Sequence, residues 1–228
     1  MTRVLLALLL AYIPSAGSLL KHTAQRARAL GKTRDVTLSG NLSVGSEPQR
    51  TVQLILRFPL QCRLEGEGGL SLSVKGTAQN PEGVPEGSSG PALRMLQLSC
   101  ALLAYRGVPV ADAPQTLQAA ARAAGADVGA GAGLSRLSDQ ATYVLGASPR
   151  DSSSPQLWLY KDNWAPARLI AQGGADLRLL QYGTPAAAEW FPRVIELWNG
   201  GQLAARFEVL EAKGVRGRVS EEEDDSAE

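Results

Sequence analysis

Apolar residues recur at every second position over several stretches of this 228-residue chain. Val36, Leu38, Leu42 and Val44 alternate with Thr37, Ser39, Asn41 and Ser43. Val52, Leu54, Leu56 and Phe58 alternate with Gln53 and Arg57, with Ile55 the exception. Leu70, Leu72 and Val74 alternate with Ser71, Ser73 and Lys75, and Leu203, Ala205, Phe207 and Val209 flank Arg206 and Glu208. A strand turns successive side chains to opposite faces, so this period predicts antiparallel sheet with one apolar and one polar face. Leu157 to Tyr160, Ala167 to Ala171, Leu177 to Tyr182 and Phe191 to Trp198 extend the strand pattern, and Asn199-Gly200-Gly201 marks a hairpin.

Three segments break the period and predict helices. Leu20, Ala24 and Ala27 fall on one helical face in a stretch that closes near Lys32. Leu93, Leu96, Cys100 and Leu103 mark a second helix, with Pro91 in its first turn and Gly107 at its end. A third runs from Asp112, a candidate cap, past Pro114 to Gly125, and its interior is alanine-rich. Residues 77–91 are rich in proline, glycine and serine and read as a loop, and Val128 to Gly133 reads as a Gly/Ala connector. The order is sheet, two helices, sheet. The fold class expected is α+β, not βαβ.

The first residues predict export. Arg3 precedes an apolar run from Val4 to Ile13, Pro14 breaks it, and Ser15-Ala16-Gly17 supplies small residues for a peptidase. The run is too short to span a bilayer as a helix. The expected division is a signal peptide over 1–17, one domain over 18–215 and a disordered acidic tail over 216–228. The net charge of +1 conceals an asymmetry. Glu221, Glu222, Glu223, Asp224, Asp225 and Glu228 concentrate acid at the C-terminus and leave the rest mildly basic. No cluster of Lys and Arg is interleaved with aromatics, so nucleic acid is not an expected partner.

Chemistry is sparse. His22 is the only histidine, which excludes a second His for a triad or a His-rich metal site. The glycine-rich pieces 66–69 and 129–133 lack the Lys-Ser/Thr of a phosphate loop, and Glu65 and Glu67 read as solvated strand-end charges. No catalytic residue, metal site or cofactor is expected. Cys62 and Cys100 are compatible with one disulfide in an oxidising compartment; two buried free thiols are the alternative. Aromatics gather late in the chain as Trp158, Tyr160, Trp164, Trp190, Phe191 and Trp198. They fit either a core packed by the helices or a sheet curved around an apolar ligand under a helical lid.

Several segments in order resemble the periplasmic lipoprotein carrier superfamily typified by LolA and LolB. They are the helix after a leader, the Val36–Val44 strand, Leu54-Ile55-Leu56-Arg57-Phe58-Pro59 with Arg63, and Pro155-Gln156-Leu157-Trp158-Leu159-Tyr160-Lys161-Asp162. Pro166-Ala167-Arg168-Leu169-Ile170 and Phe191-Pro192-Arg193-Val194-Ile195-Glu196-Leu197-Trp198 follow. The resemblance implies a curved antiparallel sheet, an unclosed β-barrel, with a helical lid. It implies a soluble periplasmic carrier, not an enzyme, that takes lipoprotein acyl chains or other lipid from an inner-membrane donor complex to an outer-membrane acceptor. A non-catalytic envelope scaffold or protein-binding module with a filled core is the alternative. The family's basic residue beside the strand-ending proline maps to Arg57, expected near the mouth. Leu54, Leu56, Trp158, Leu169 and Phe207, apolar residues on central strands, are the candidates to line the cavity. A one-residue change of register would turn each of them outward.

Overall fold

A computed structural model describes residues 13–29, 33–57, 61–75, 90–129, 131–183 and 191–216. Residues 1–12 of the expected signal peptide, Phe58 and Pro59, most of the 77–91 loop, Trp190 and the acidic tail lie outside the described residues.

Every strand among the described residues joins one sheet. β1 (Thr33–Val44), β2 (Arg50–Arg57), β3 (Gln61–Gly66) and β4 (Leu70–Lys75) form the first half. β5 (Ala132–Leu137), β6 (Gln140–Leu145), β7 (Gln156–Tyr160), β8 (Pro166–Ile170), β9 (Ala175–Leu180), β10 (Val194–Asn199) and β11 (Gln202–Arg216) form the second. The order is β4-β3-β2-β1-β11-β10-β9-β8-β7-β6-β5, so β1 and β11 join two meanders and β4 and β5 are open edges. All pairings are antiparallel. The expected α+β class with an unclosed antiparallel sheet is what forms. The β5–β6 hairpin is an addition, because the Gly/Ala stretch before it hides where the strand begins.

Three glycines shape the turn into β11 and its seam with β1. At the β10–β11 turn, Gly200 and Gly201 both have positive φ, 56° and 83°. A two-residue hairpin loop matched to strand twist demands that conformation at both positions. At the β1–β11 pair the register shifts between Ser39 and Gly40. A Cβ on Gly40 would stand 2.0 Å from the Glu208 carbonyl oxygen, so only glycine fits where the bulged strands approach.

Three helices cover one face: α1 (Ala16–Ala29), α2 (Gly90–Leu103) and α3 (Ala113–Ala123), with a 3-10 turn at 104–107 between the last two. α1 begins two residues before the expected mature terminus at Ser18, and Ser15 caps it by accepting from the Ser18 N–H at 3.3 Å. Asp112 occupies the N-cap position of α3, but its side chain makes no capping bond. Its backbone carbonyl instead accepts from the Thr116 hydroxyl at 3.0 Å. α2 touches β3 and β4 as well as β8, β9, β10 and β11. In a flat sheet β4 and β8 would stand about 34 Å apart, at about 4.8 Å per strand. α2 has 14 residues, about 21 Å of helix. One helix reaches both only because the sheet curves around it. No helix among the described residues is long and apolar enough to cross a membrane.

Candidate functional site

The inner face of the sheet is apolar from edge to edge. Leu38, Leu54, Leu64 and Leu72 stand side by side across β1 to β4. Across the other half, Leu145, Leu157, Leu169, Leu177, Leu197 and Ala205 form one row that ends on Val44 of β1. Phe207 lies between Leu42 and Ile195. α2 seats on these rows with Met95, Leu96, Leu98, Leu102 and Leu103, all buried. Residues 95–103 of α2 are buried without a break, so the helix lies inside the curve rather than upon it. Cys100 of α2 is joined by a disulfide to Cys62 of β3, with 5.9 Å between their Cα atoms.

Leu54, Leu56, Leu169 and Phe207 therefore share one apolar cluster with the helices, and each is between 0% and 2% exposed. Trp158 does not join them. Leu157 and Leu159 take the inner face, which turns Trp158 outward into a separate cluster with Leu137, Val144, Tyr160 and Ala167. A run apolar on both faces contains no signal of which residue points inward. Arg57 is also on the outer face, exposed, and 3.8 Å from Asp35.

The outer face of the second half is a ladder of charge and indole. Arg168 lies 4.7 Å over Trp158, and Arg178 lies 4.4 Å over Trp198. Both guanidiniums donate to Asp176: Arg168 through two bonds of 2.7 Å, Arg178 through bonds of 3.1 and 2.8 Å. Glu196 accepts from the Trp198 indole N–H at 2.9 Å and from Arg206 at 2.5 Å. Trp158 donates to Gln156 at 2.7 Å, and Gln156 in turn donates to the Ser148 and Asp151 carbonyls. These partners satisfy the buried carboxylates, and the face needs no covering layer.

A second group of buried polar side chains includes two on the 3-10 turn. Arg106, on the 3-10 turn, is buried and hydrogen-bonds the Tyr105 side chain. Burial pulls the Arg106 guanidinium down from its usual range, opposed by Tyr105 and Tyr182. Burial pushes the Tyr105 phenol up and holds Tyr182 well above the ordinary value, while Tyr160 is raised to about 12. Tyr182 donates to the Pro166 carbonyl at 2.9 Å and Tyr160 to the Leu179 carbonyl at 3.2 Å. Sequence reading did not single out Arg106; a lone cation between apolar residues at the end of α2 gives no pattern to read.

One pocket lies not under the helices but between two of them. A cavity of about 490 Å³ separates α1 from α3. Leu20, Ala24, Val110, Pro114 and Val128 supply its apolar walls, while Lys21, Gln25, Gln115 and Gln118 stand among its polar residues. His22 of α1 packs on Trp164 with 4.7 Å between ring centroids, and Trp164 stacks on Tyr143 of β6 at 5.6 Å. That contact ties α1 to the second half of the sheet. No group of three or more His, Cys, Asp or Glu side chains that could hold a metal occurs among the described residues.

No family model and no curated protein matches this chain. Among solved structures it is similar to a LolA superfamily protein from Nitrosomonas europaea, 13% identical, with 88% of this chain and 94% of that chain covered and a TM-score of 0.44. It is also similar to a DUF1329 family protein from Desulfovibrio piger, 9% identical, covering 90% and 95%, with a TM-score of 0.47. The Pseudomonas aeruginosa MucA/MucB complex is 14% identical over 87% of this chain and 56% of that one, with a TM-score of 0.28. The likeness is one of fold alone, and it decides nothing about what this chain binds.

Proposed function

We propose that this chain is an exported, periplasmic, non-catalytic carrier that shelters an acyl chain of a lipoprotein or another lipid between its sheet and its helices. The observation that supports this is the inner face: one continuous apolar surface spans the curved sheet and is covered by a few short helices. Exposing such a face is costly, and an acyl chain can re-cover it. Burial gains roughly 0.8 kcal/mol per methylene, so a chain of about fifteen gains on the order of 10 kcal/mol before ordering costs. Shape suffices, and no reacting group is required. Leu54, Leu56, Leu169 and Phe207 are the residues this reading gives to the acyl chain in the open state. On the same reading the chain is loaded by an inner-membrane donor and relieved by an outer-membrane acceptor.

The alternative is a filled-core binding module of the envelope. The near-zero exposure of those same four residues favours it, because protein atoms already cover them. Hydrogen–deuterium exchange with and without palmitate separates the two. A carrier loses amide protection in α1 and α3 as they yield to the ligand, while β1 to β3 stay protected. Unchanged exchange throughout would refute the carrier and leave the module.

A further inference from the structure

We propose that the groove between α1 and α3 is a binding site for one acyl chain with an anionic head group, occupied before the chain passes beneath the helices; the proposal rests on the carrier reading above. Its chemistry is that of an amphiphile. The walls are aliphatic, with Leu20, Ala24 and Val128 nearly fully buried. Glutamines and Lys21 stand around them, and no carboxylate lines the groove. Lys21 is the one charged residue in the groove lining, and it has no ion-pair partner among the described residues. An unopposed cation beside an apolar trough selects a negative head on an apolar tail.

Size and position agree. The volume, about 490 Å³, lies within the roughly 300–1,000 Å³ of small-ligand sites. Within the domain expected from Ser18 onward, the α1 wall runs from Leu20 to Gln25, about 7.5 Å along the helix axis, which admits part of a single chain and is too small for a folded partner. The groove also lies at the part of the cover best able to move. α2 is fixed to β3 by the Cys62–Cys100 disulfide, while α1 meets chiefly α3, the 3-10 turn and the Trp164 ring. Parting α1 from α3 widens the groove without disturbing α2.

The test is equilibrium binding of palmitate and of uncharged monopalmitoylglycerol to the full chain, to Lys21→Gln and to Gln118→Trp, with thermal midpoints measured in parallel. Gln118 is half-buried on the groove wall, so a larger side chain there fills the trough from its rim. Gln25→Trp does the same from the opposite helix and serves if Gln118→Trp unfolds. The expected result is at least a tenfold loss of both ligands in a folded tryptophan variant. Lys21→Gln should lose about tenfold for palmitate only. If the unmodified chain binds palmitate and both tryptophan variants bind it equally well, the groove is not the site and the carrier reading stands. If Lys21→Gln weakens both ligands alike, the head-group assignment is overturned. If the unmodified chain binds neither ligand, the carrier reading falls as well.

Discussion

Cys62 on β3 and Cys100 on α2 are covalently joined, so the innermost helix of the cover is fastened to the first half of the sheet. The bridge closes a loop with a sequence separation of 38. In the chain-entropy account a loop of that size contributes about 4 kcal/mol by restricting the unfolded chain. Cys62→Ala/Cys100→Ala should therefore lower the urea midpoint by an amount equivalent to about 4 kcal/mol, with the far-ultraviolet dichroism of the folded state retained. A loss below about 1 kcal/mol would mean that the bridge restrains little in the unfolded chain.

Asp176 is the keystone of the outer ladder. Its carboxylate receives both Arg168 and Arg178, and its side chain is 11% exposed. Asp176→Asn leaves two guanidiniums packed on indoles without an anion. Breaking a buried pair costs roughly 3–5 kcal/mol, and the partial exposure of Arg178 places this one near the lower end, about 3 kcal/mol. Glu211→Ala, which removes a carboxylate from a pair exposed on both sides, should cost no more than about 0.5 kcal/mol. Chemical denaturation of the two variants side by side checks the contrast, and equal losses would contradict the ladder's role.

Three buried phenols set an alkaline limit. Burial raises Tyr105, Tyr160 and Tyr182 in the folded chain, Tyr160 to about 12. Below pH 10, the ordinary phenol value, folded and unfolded forms are equally protonated and stability is unaffected. Above it the unfolded chain releases protons that the folded chain retains, so stability falls as the pH rises toward 12. Phenolate absorbance followed with urea unfolding should show this loss beginning near pH 10. Tyr160→Phe should lessen it. Stability constant through that range would show that these phenols are not held inside.

Much of the fold is legible in the alternation at Val36–Val44 and Leu70–Val74, because a half-solvated strand must declare which face is polar. Leu54, Leu56 and Phe207 were placed on the inner face by that signal. Trp158 is expected in the same lining and stands on the outer face instead, since Gln156 to Tyr160 is buried on both sides and the period carries no direction. The outer side of that strand is covered by arginine stems and indoles from β8 to β10, which only the register brings together. Arg57 was expected near a mouth and instead pairs with Asp35 across β1 and β2 on the outer face. The α1–α3 groove escaped notice for another reason. It is formed by helices about ninety residues apart in the chain, and no local pattern encodes how such helices meet.

The central claim is that an apolar chain occupies this fold. Native mass spectrometry of the full chain, prepared from a periplasmic extract without detergent, tests it most directly. A carrier appears with a population heavier by one lipid, and organic-solvent extraction removes that mass and releases the lipid for identification. A single ligand-free mass, unchanged after incubation with a palmitoylated lipopeptide, would contradict the account and favour the filled-core module.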